Sequence, residues 1–286
     1  MKIIKYFVES LFIIFFLIFF KILGLKFSSI LGSIIVGLIG PFFRSKKKII
    51  SNIKKALPKT EQKDVEIIVK KMWKNYGRIL AEYMFVKNFR YSKNERFISL
   101  EGQEILNNIK NTNEPVIFIS GHFNNFELMA MQIEKAGINL AAIYRPLNNV
   151  FLNKIMERIR KKYICRKQIK KGRSGTRELL EYIKKHYSIA LMIDQRVSEG
   201  IKSDFFGQLA LTTTIPAQLV KKFGCKIVPV YIERIKGNYF KIKISKPIIY
   251  NKDSSIEEIT LDLNKWLERM ILNNPSQWIW SHDRWK

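Results

Sequence analysis

Two long apolar runs occupy the start of the chain. The first extends from Tyr6 to Phe20 and the second from Phe27 to Phe43. A signal peptide is one interpretation of the first run, but a small-residue cleavage site is missing, since no alanine precedes Ala56. The first run is also short for a membrane span, which takes about 20 residues. We therefore predict an uncleaved membrane anchor over residues 1–43, with one spanning or deeply inserted helix and a second apolar segment on or in the membrane.

A basic cluster follows the second apolar run directly. Four of the five residues from Arg44 to Lys48 carry a positive charge. By the positive-inside rule, this cluster places the remaining chain, residues 44–286, on the cytoplasmic face of the membrane. The same cluster would attract anionic lipid headgroups.

Helical periodicity dominates the next stretch, from Ile49 to Phe85. Apolar residues recur there every three or four positions, and the lysines and glutamates fall between them. This pattern predicts amphipathic helices, divided at Pro58, which pack one face on a core and expose the other.

Beyond Phe97 the pattern alternates between short apolar strands and amphipathic helices. The predicted strands are 116–120, 140–144 and 188–193, followed by a hairpin of 226–233 and 239–244 about Gly237-Asn238. One predicted helix follows the strand 116–120 and ends at about 136. The other predicted helices cover 149–162, 174–186, 216–223 and 255–271. This order indicates an α/β fold with a mostly parallel central sheet flanked by helices, built as one domain over 44–286.

Composition narrows the class of partner. The chain has 286 residues and a net charge of +27, which implies an acidic partner such as nucleic acid, anionic lipid or an acidic protein. No nucleic-acid-binding motif accompanies the charge, and the apolar start favours lipid. The two cysteines, Cys165 and Cys225, are far apart and suggest neither a disulfide framework nor a zinc site. We expect no metal and no organic cofactor.

The candidate chemistry lies in the stretch from Pro115 to Leu128. A buried strand there leads into a turn with His122, and Glu127 follows five positions later at the start of a helix. On one continuous helix the two side chains would lie about 140° apart, so they can meet only if His122 is in the turn. Asn124 or Asn125 would cap the helix. A neutral imidazole can then take a proton from an alcohol while the carboxylate holds its other nitrogen; the alternative is a partly buried histidine that caps a helix.

Two further strands bring polar residues to the same edge of the predicted sheet. Arg145 follows the strand 140–144, and Asp194 and Gln195 follow the strand 188–193. Ligands of open α/β sheets bind beyond the carboxyl ends of the strands. Arg145 is thus a candidate for binding a phosphate, a carboxylate or a developing oxyanion, although a lone arginine in so basic a chain is more often a surface charge. Asp194 could orient Arg145 or a substrate group, or cap the next turn.

Two later segments carry weaker signals. The segment from Phe205 to Thr214 is predicted to be a loop leading into a helix, where Thr213 either contributes to an anion-binding amino terminus or simply caps the helix. The aromatic and basic ending, 274–286, suits an interface with headgroups. His282 and Asp283 are adjacent in sequence, and adjacent side chains seldom face one another.

Four blocks of this sequence, in this order, resemble the bacterial lipid A biosynthesis late acyltransferases, the lauroyl and myristoyl transferases of the lysophospholipid acyltransferase superfamily. The blocks are Gly121-His122-Phe123-Asn124-Asn125-Phe126-Glu127; Ile143-Tyr144-Arg145-Pro146-Leu147-Asn148-Asn149; Asp194-Gln195 with Phe205-Phe206-Gly207 and Thr212-Thr213-Thr214; and the ending from Asn274 to Lys286. The resemblance covers essentially the whole chain. One departure is Arg196-Val197-Ser198, which stands where a glycine commonly follows the Asp-Gln pair.

The resemblance implies a glycerolipid acyltransferase-like fold and an O-acyltransferase of the bacterial inner membrane. The donor would be an acyl carrier protein thioester and the acceptor a hydroxyl of a phosphorylated, anionic lipid A precursor. Carried over by residue, His122 and Glu127 are the catalytic pair, and Arg145, Asp194, Gln195 and Thr213 bind substrate or support the site. The enzyme is expected to be a monomer that binds membrane and no nucleic acid. Two alternatives remain open, a glycerolipid or mannolipid acceptor and a non-enzymatic basic membrane tether.

Overall fold

A seven-stranded sheet covered by helices forms the body of the protein. The structure, a computed structural model, describes residues 2–92 and 96–286. Its strands are β1 (Ile98–Glu101), β2 (Ile117–Ser120), β3 (Leu140–Tyr144), β4 (Lys167–Lys170), β5 (Ser188–Met192), β6 (Ile201–Phe205), β7 (Gln208–Thr212), β8 (Ile227–Lys236) and β9 (Tyr239–Ile244). Its helices are α1 (Lys2–Phe43), α2 (Lys46–Ala56), α3 (Gln62–Glu82), α4 (Val86–Arg90), α5 (Gln103–Thr112), α6 (Glu127–Lys135), α7 (Val150–Tyr163), α8 (Arg173–Lys184), α9 (Ile215–Phe223) and α10 (Ile256–Asn273).

The sheet has the order β1-β9-β8-β2-β5-β3-β4, while β6 and β7 pair separately as an antiparallel hairpin. Every neighbouring pair in the large sheet is parallel except β8 with β9. The prediction of a mostly parallel sheet flanked by helices is therefore confirmed. The expected hairpin is also present, because Lys236 pairs with Tyr239 across Gly237-Asn238.

Six elements were not predicted: β1, β4, α4, α5 and the two strands of the hairpin β6–β7. The expected loop over 205–214 is wrong, because Phe205 pairs with Gln208 and the chain turns at Phe206-Gly207. Both turn residues have positive φ, 57° and 72°. Two-residue hairpin loops favour this left-handed backbone because its twist matches that of the strands.

The amino-terminal helix α1 is long and apolar enough to cross a membrane, which makes it the candidate anchor. It is kinked at Gly24, whose φ is 75°. Beyond the kink, α1 packs on α3 so closely that a Cβ added to Gly32 would lie 2.4 Å from the carbonyl oxygen of Gly77. The opposite face of that half-helix exposes Ile34 and Phe42. The second apolar run is thus bound to the body on one side and presents an apolar surface on the other.

The half of α1 before the kink is tied to the body at one polar point. The Ser10 hydroxyl donates to Oδ1 of Asn149 at 2.9 Å, and Nδ2 of Asn149 donates to the carbonyl of Tyr6 at 2.8 Å. Asn149 also caps α7. The anchor is therefore connected to the loop that follows β3. The expected division of the chain at residue 43 stays a prediction, and its first residue, Met1, lies outside the described residues.

Candidate active site

Three strand ends meet at one edge of the sheet, as the sequence predicts. β2, β5 and β3 are adjacent and parallel, so their carboxyl ends lie side by side. The register pairs Ser120 of β2 with Met192 of β5. His122 and Asp194 each follow two residues later, which places them at the same level beyond the sheet.

His122 is held by Asp194. Nδ1 of His122 lies 2.7 Å from Oδ1 of Asp194, and the backbone N–H of His122 donates to Oδ2 at 2.8 Å. Trp278 Nε1 also donates to Oδ2, at 2.9 Å. An ionised carboxylate only accepts hydrogen bonds, so Nδ1 carries the imidazole proton and the lone pair is on Nε2. The side chain of His122 is 19% exposed and that of Asp194 is 2% exposed.

The electrostatics of the pair favour a protonated imidazole. Burial alone would lower the pKa of His122, but the charge and hydrogen bond of Asp194 outweigh it and raise that pKa above 6.5. For Asp194, burial would raise the pKa, yet His122 and the hydrogen bond from Trp278 hold it below its ordinary value. A proton taken up at Nε2 is therefore stabilised by a carboxylate that stays ionised.

Glu127 binds a different partner. Its Oε1 accepts from Nε of Arg160 at 2.8 Å and from Nη2 at 2.5 Å. The expected placement is confirmed, since His122 lies in the turn and Glu127 is the first residue of α6. The expectation that Glu127 holds the imidazole is wrong: Asp194 takes Nδ1, and in the described part of the chain no hydrogen bond joins Glu127 to His122. Its charge still contributes, after that of Asp194, to the raised pKa of His122.

The two asparagines after His122 fix the loop and do not cap α6. Asn124 adopts a left-handed conformation with φ 42°, and its N–H donates to the carbonyl of Gln277 at 3.0 Å. Asn125 Nδ2 donates to Oε2 of Glu82 at 3.2 Å. Since α6 begins without a side-chain cap, the predicted N-cap is wrong.

Glu82 is the centre of a buried network beneath this loop. It is fully buried, although the sequence pattern assigned glutamates of this stretch to the exposed face. Arg234 donates to both of its oxygens, at 2.6 and 3.0 Å. Ser29 of α1 and Asn238 of the β8–β9 turn also donate to it, at 2.8 and 2.9 Å. Glu82 therefore joins the anchor, the hairpin and the His122 loop.

Five predicted site residues line one cavity of about 590 Å³: His122, Glu127, Arg145, Gln195 and Thr213. This main cavity has the size of a small-molecule site. The sixth residue, Asp194, lies behind His122. Thr213 Oγ1 also accepts from the N–H of Ile215, the first residue of α9, at 3.4 Å, but the N-cap residue is Thr214 and, among the described residues, no side chain caps the helix. Substrate contacts of these residues stay predictions.

The inner part of the main cavity is apolar and lies between the sheet and α6. Its floor includes one row across β2, β5, β3 and β4, formed by Phe118, Ala190, Ala142 and Gln168. Residues paired in register on neighbouring strands point to the same face of the sheet, so all four side chains lie on one side. Ala130 of α6 lines the opposite wall. Ala142 and Ala190 on one wall and Ala130 on the other leave an apolar slot between the sheet and α6.

The cysteines are unsuited to be nucleophiles. Both are buried, and burial raises the pKa of Cys165 to about 12 and that of Cys225 to about 11. The reactive thiolate form is therefore suppressed at neutral pH. Among the described residues, no group of three or more His, Cys, Asp and Glu side chains is arranged to hold a metal ion.

The carboxyl-terminal segment packs into the body, which corrects the expectation of a headgroup interface. Trp278, Trp280 and Arg284 are buried. Asn52 Nδ2 donates to the carbonyls of Trp280 and His282, each at 2.9 Å. Through Trp278 this segment forms part of the His122 site, a contribution that sequence reasoning missed.

Comparison with known proteins identifies the family of this chain. The model of the family described as bacterial lipid A biosynthesis acyltransferase matches residues 1–286. The chain is 22% identical over 262 residues to a lipid A biosynthesis palmitoleoyltransferase of Escherichia coli (strain K12), covering 90% of this chain and 84% of the relative. It is 22% identical over 246 residues to lipid A biosynthesis acyltransferase 2 of Shigella flexneri (83% and 76%), and 23% identical over 259 residues to a lauroyltransferase of Escherichia coli (strain K12) (86% and 80%). Because the family model spans the whole chain, this protein belongs to the bacterial lipid A biosynthesis acyltransferase family.

Proposed function

We propose that this protein transfers a fatty acyl chain from an acyl carrier protein thioester to a hydroxyl of a phosphorylated lipid A precursor. The observation that carries the proposal is the buried Asp194 on Nδ1 of His122, with Nε2 facing a cavity that has an apolar interior. A histidine fixed in this way is a general base for a hydroxyl, and an apolar interior suits an acyl chain.

The proposed reaction is direct transfer. Nε2 of His122 takes the proton of the acceptor hydroxyl as its oxygen forms a bond to the thioester carbon. The imidazolium is stabilised by Asp194 through Nδ1. Arg145 stabilises the negative charge that develops on the carbonyl oxygen. When the C–S bond breaks, the carrier thiolate leaves and takes the proton from Nε2, which regenerates the neutral imidazole.

Glu127 supports this reaction from a second position. It binds Arg160 in the cavity wall and adds negative charge near the imidazolium. In the proposed mechanism Glu127 therefore assists His122 through its charge and through the placement of Arg160, while Asp194 fixes the tautomer.

Charge and location support the proposed substrates. The net charge of +27 suits two acidic partners, the carrier protein and the phosphorylated acceptor. With α1 in the bacterial inner membrane and the cluster from Arg44 to Lys48 on the cytoplasmic side, the site faces the compartment of the carrier protein. The proposed enzyme acts as a monomer and uses no cofactor besides the thioester donor.

A test of the function begins with the wild type and His122→Ala in membranes, supplied with acyl carrier protein thioester and a lipid A precursor. We expect acyl transfer by the wild type and its loss in His122→Ala, because the proposed base for the acceptor hydroxyl has been removed. His186→Asn is the matched control: His186 is exposed and has a φ of 59°, which asparagine tolerates.

Mass spectrometry of lipids from cells with and without the gene identifies the acceptor. A lipid A species that gains one acyl chain supports the proposal, and a glycerolipid or mannolipid that does so contradicts it. Full activity of His122→Ala would contradict the mechanism. A wild type that binds lipid but consumes no thioester would leave the tether as the better explanation.

The apolar slot predicts which residues set chain length. Ala130→Leu and Ala142→Leu each add three carbons to opposite walls of the slot. We expect kcat/KM for the preferred donor to fall by about tenfold or more, since one methylene that no longer fits costs about 1–3 kcal/mol, while shorter donors are used normally. A series of carrier thioesters of increasing chain length measures this.

Ala136→Leu is the control for the chain-length series. Ala136 follows α6, on which Ala130 lies, but it does not line the main cavity. An equal loss for all donors in Ala130→Leu, or the same profile in Ala136→Leu, would show that the slot does not hold the chain.

A further inference from the structure

A second cavity, of about 850 Å³, adjoins the main cavity and is strongly basic. We call it the basic cavity. It shares five lining residues with the main cavity, so the two meet beside His122: Arg44, Arg145, Lys171, Gln195 and His282. Its cations come from five separate parts of the chain: Arg44 and Lys48, Arg145, Lys171, Arg196 and Lys286.

The positive charge of the basic cavity is little compensated. Its lining includes two carboxylates, Asp283 and Glu199, and Asp283 is paired with Lys48 at 2.8 Å. His282 adds no charge at neutral pH, because burial lowers its pKa and Nε2 accepts from the N–H of Arg196 at 3.0 Å. Cations gathered in this way repel one another unless an anion lies between them.

Arg196 is fixed at the wall of the basic cavity. Its Nε donates to the backbone carbonyl of Lys286 at 3.0 Å and its Nη1 to the hydroxyl of Ser198 at 3.3 Å. These contacts hold the guanidinium at the cavity wall. The planar fork of arginine is well suited to bind phosphate oxygens in pairs.

The position of the basic cavity relates it to the membrane and to the reaction. Phe43, the last residue of α1, lies in its lining. A ligand there would have an anionic group just beyond the anchor, close enough to His122 for one of its hydroxyls to reach Nε2. An amphiphile with a phosphate on its headgroup meets this description.

We propose that the basic cavity binds a phosphate of the acceptor lipid and thereby presents the acceptor hydroxyl to His122. This inference rests on the proposed function and names the residues that recognise the acceptor. Arg44 and Arg196, which are far apart in sequence, would both bind this phosphate. Arg145 would lie between the phosphate and the reacting carbonyl. The same chemistry could serve the phosphodiester of the carrier's prosthetic group or a bulk anionic phospholipid, and the test separates these sources.

The test uses the full-length protein, an acylated glucosamine disaccharide bisphosphate as acceptor, and the two acceptors that lack one phosphate each. We expect Arg44→Gln with Arg196→Gln to raise KM for the bisphosphate by about tenfold or more, because two charge-assisted contacts with the phosphate are lost. KM for the donor and kcat should change little. For the acceptor that lacks the bound phosphate, wild type should already show the raised KM, and the double variant should show no further increase.

Lys184→Gln with Arg177→Gln is the control variant, since it removes the same charge from exposed positions that do not line the basic cavity. It should leave all KM values unchanged. A raised KM for the donor, or weaker binding to vesicles of anionic phospholipid with an unchanged acceptor KM, would overturn the inference in favour of the other sources. Equal KM for acceptors with and without phosphates would overturn it while the proposed function stands. No product from any acceptor would refute the proposed function itself.

Discussion

Asp194→Asn should lower kcat by about 10³–10⁴-fold in a protein that still folds. An asparagine oxygen can keep the hydrogen bonds from the backbone N–H of His122 and from Trp278, which both reach Oδ2. The new NH₂ group then faces Nδ1 as a donor, so Nδ1 must accept and the proton moves to Nε2. The imidazole presents N–H to the acceptor hydroxyl and cannot act as its base. Loss of the correct tautomer costs about 10⁴ in a Ser-His-Asp enzyme, which sets the scale.

The pH dependence of kcat separates this effect from a loss of structure. His122 must be neutral to accept a proton, so activity falls as the pH decreases through its pKa. Asp194 raises that pKa above 6.5, which places the acid limb of the wild-type profile above the ordinary value for histidine. In Asp194→Asn the larger of the two negative charges is gone and burial outweighs the smaller contribution of Glu127, so the acid limb of the residual activity should move to lower pH. Unchanged acid limbs would show that Asp194 does not act on His122.

Glu127→Gln is the comparison that decides between the two carboxylates. Glutamine keeps an oxygen for Arg160 but loses the charge near His122, so we expect a reduction of kcat that is smaller than for Asp194→Asn. The acid limb should shift in the same direction by a smaller amount. A larger loss for Glu127→Gln than for Asp194→Asn would assign the main catalytic carboxylate to Glu127 and contradict the tautomer argument.

The choice between these carboxylates shows what sequence spacing can and cannot predict. Glu127 is five residues from His122, so a local pattern detects it. Asp194 is far away in sequence, and its contact depends on the pairing of Ser120 with Met192 in the sheet. The sequence indicates that His122 and Asp194 each follow a strand. It does not indicate that those two strands are neighbours in this register. The position of these residues at one edge of the sheet was therefore predictable, and the hydrogen bond between His122 and Asp194 was not.

The strands that escaped prediction are those with little apolar signal. β4 reads Lys-Gln-Ile-Lys, lies at the edge of the sheet and buries only Ile169. β6 (Ile-Lys-Ser-Asp-Phe) and β7 (Gln-Leu-Ala-Leu-Thr) have only five residues each and lack the alternation of polar and apolar residues that marks a strand, and their turn is Phe206-Gly207 without an asparagine or aspartate. An edge strand has a neighbouring strand on only one side, and a short hairpin is covered by the protein on only one face. Both therefore need few buried side chains. The strands that position the site, by contrast, are central and nearly all apolar.

Glu82 illustrates the same limit inside a helix that was predicted correctly. Periodicity places lysines and glutamates between the apolar positions of α3, and most of them are exposed. Glu82 is an exception because Ser29, Asn125 and Arg234 donate hydrogen bonds to its carboxylate, and only the fold brings these residues together. A buried charge of this kind is tolerated only when it is paired and hydrogen-bonded. The sequence contains each of these residues but no local sign of their contact.

Glu82→Ala should therefore cost about 3–5 kcal/mol of unfolding free energy, which is the usual effect of removing one partner of a buried ion pair. Arg234, whose side chain is 9% exposed, would be left without its carboxylate, and Asn125 beside His122 would lose its acceptor. Denaturant unfolding in detergent micelles measures the stability. Glu114→Ala, which breaks the exposed pair with Lys226, is the control and should have little effect. Adding Arg234→Met to Glu82→Ala should recover part of the loss, because no unpaired charge then remains buried. If Glu82→Ala is no more destabilising than Glu114→Ala, the network does not hold α1, α3 and the His122 loop together.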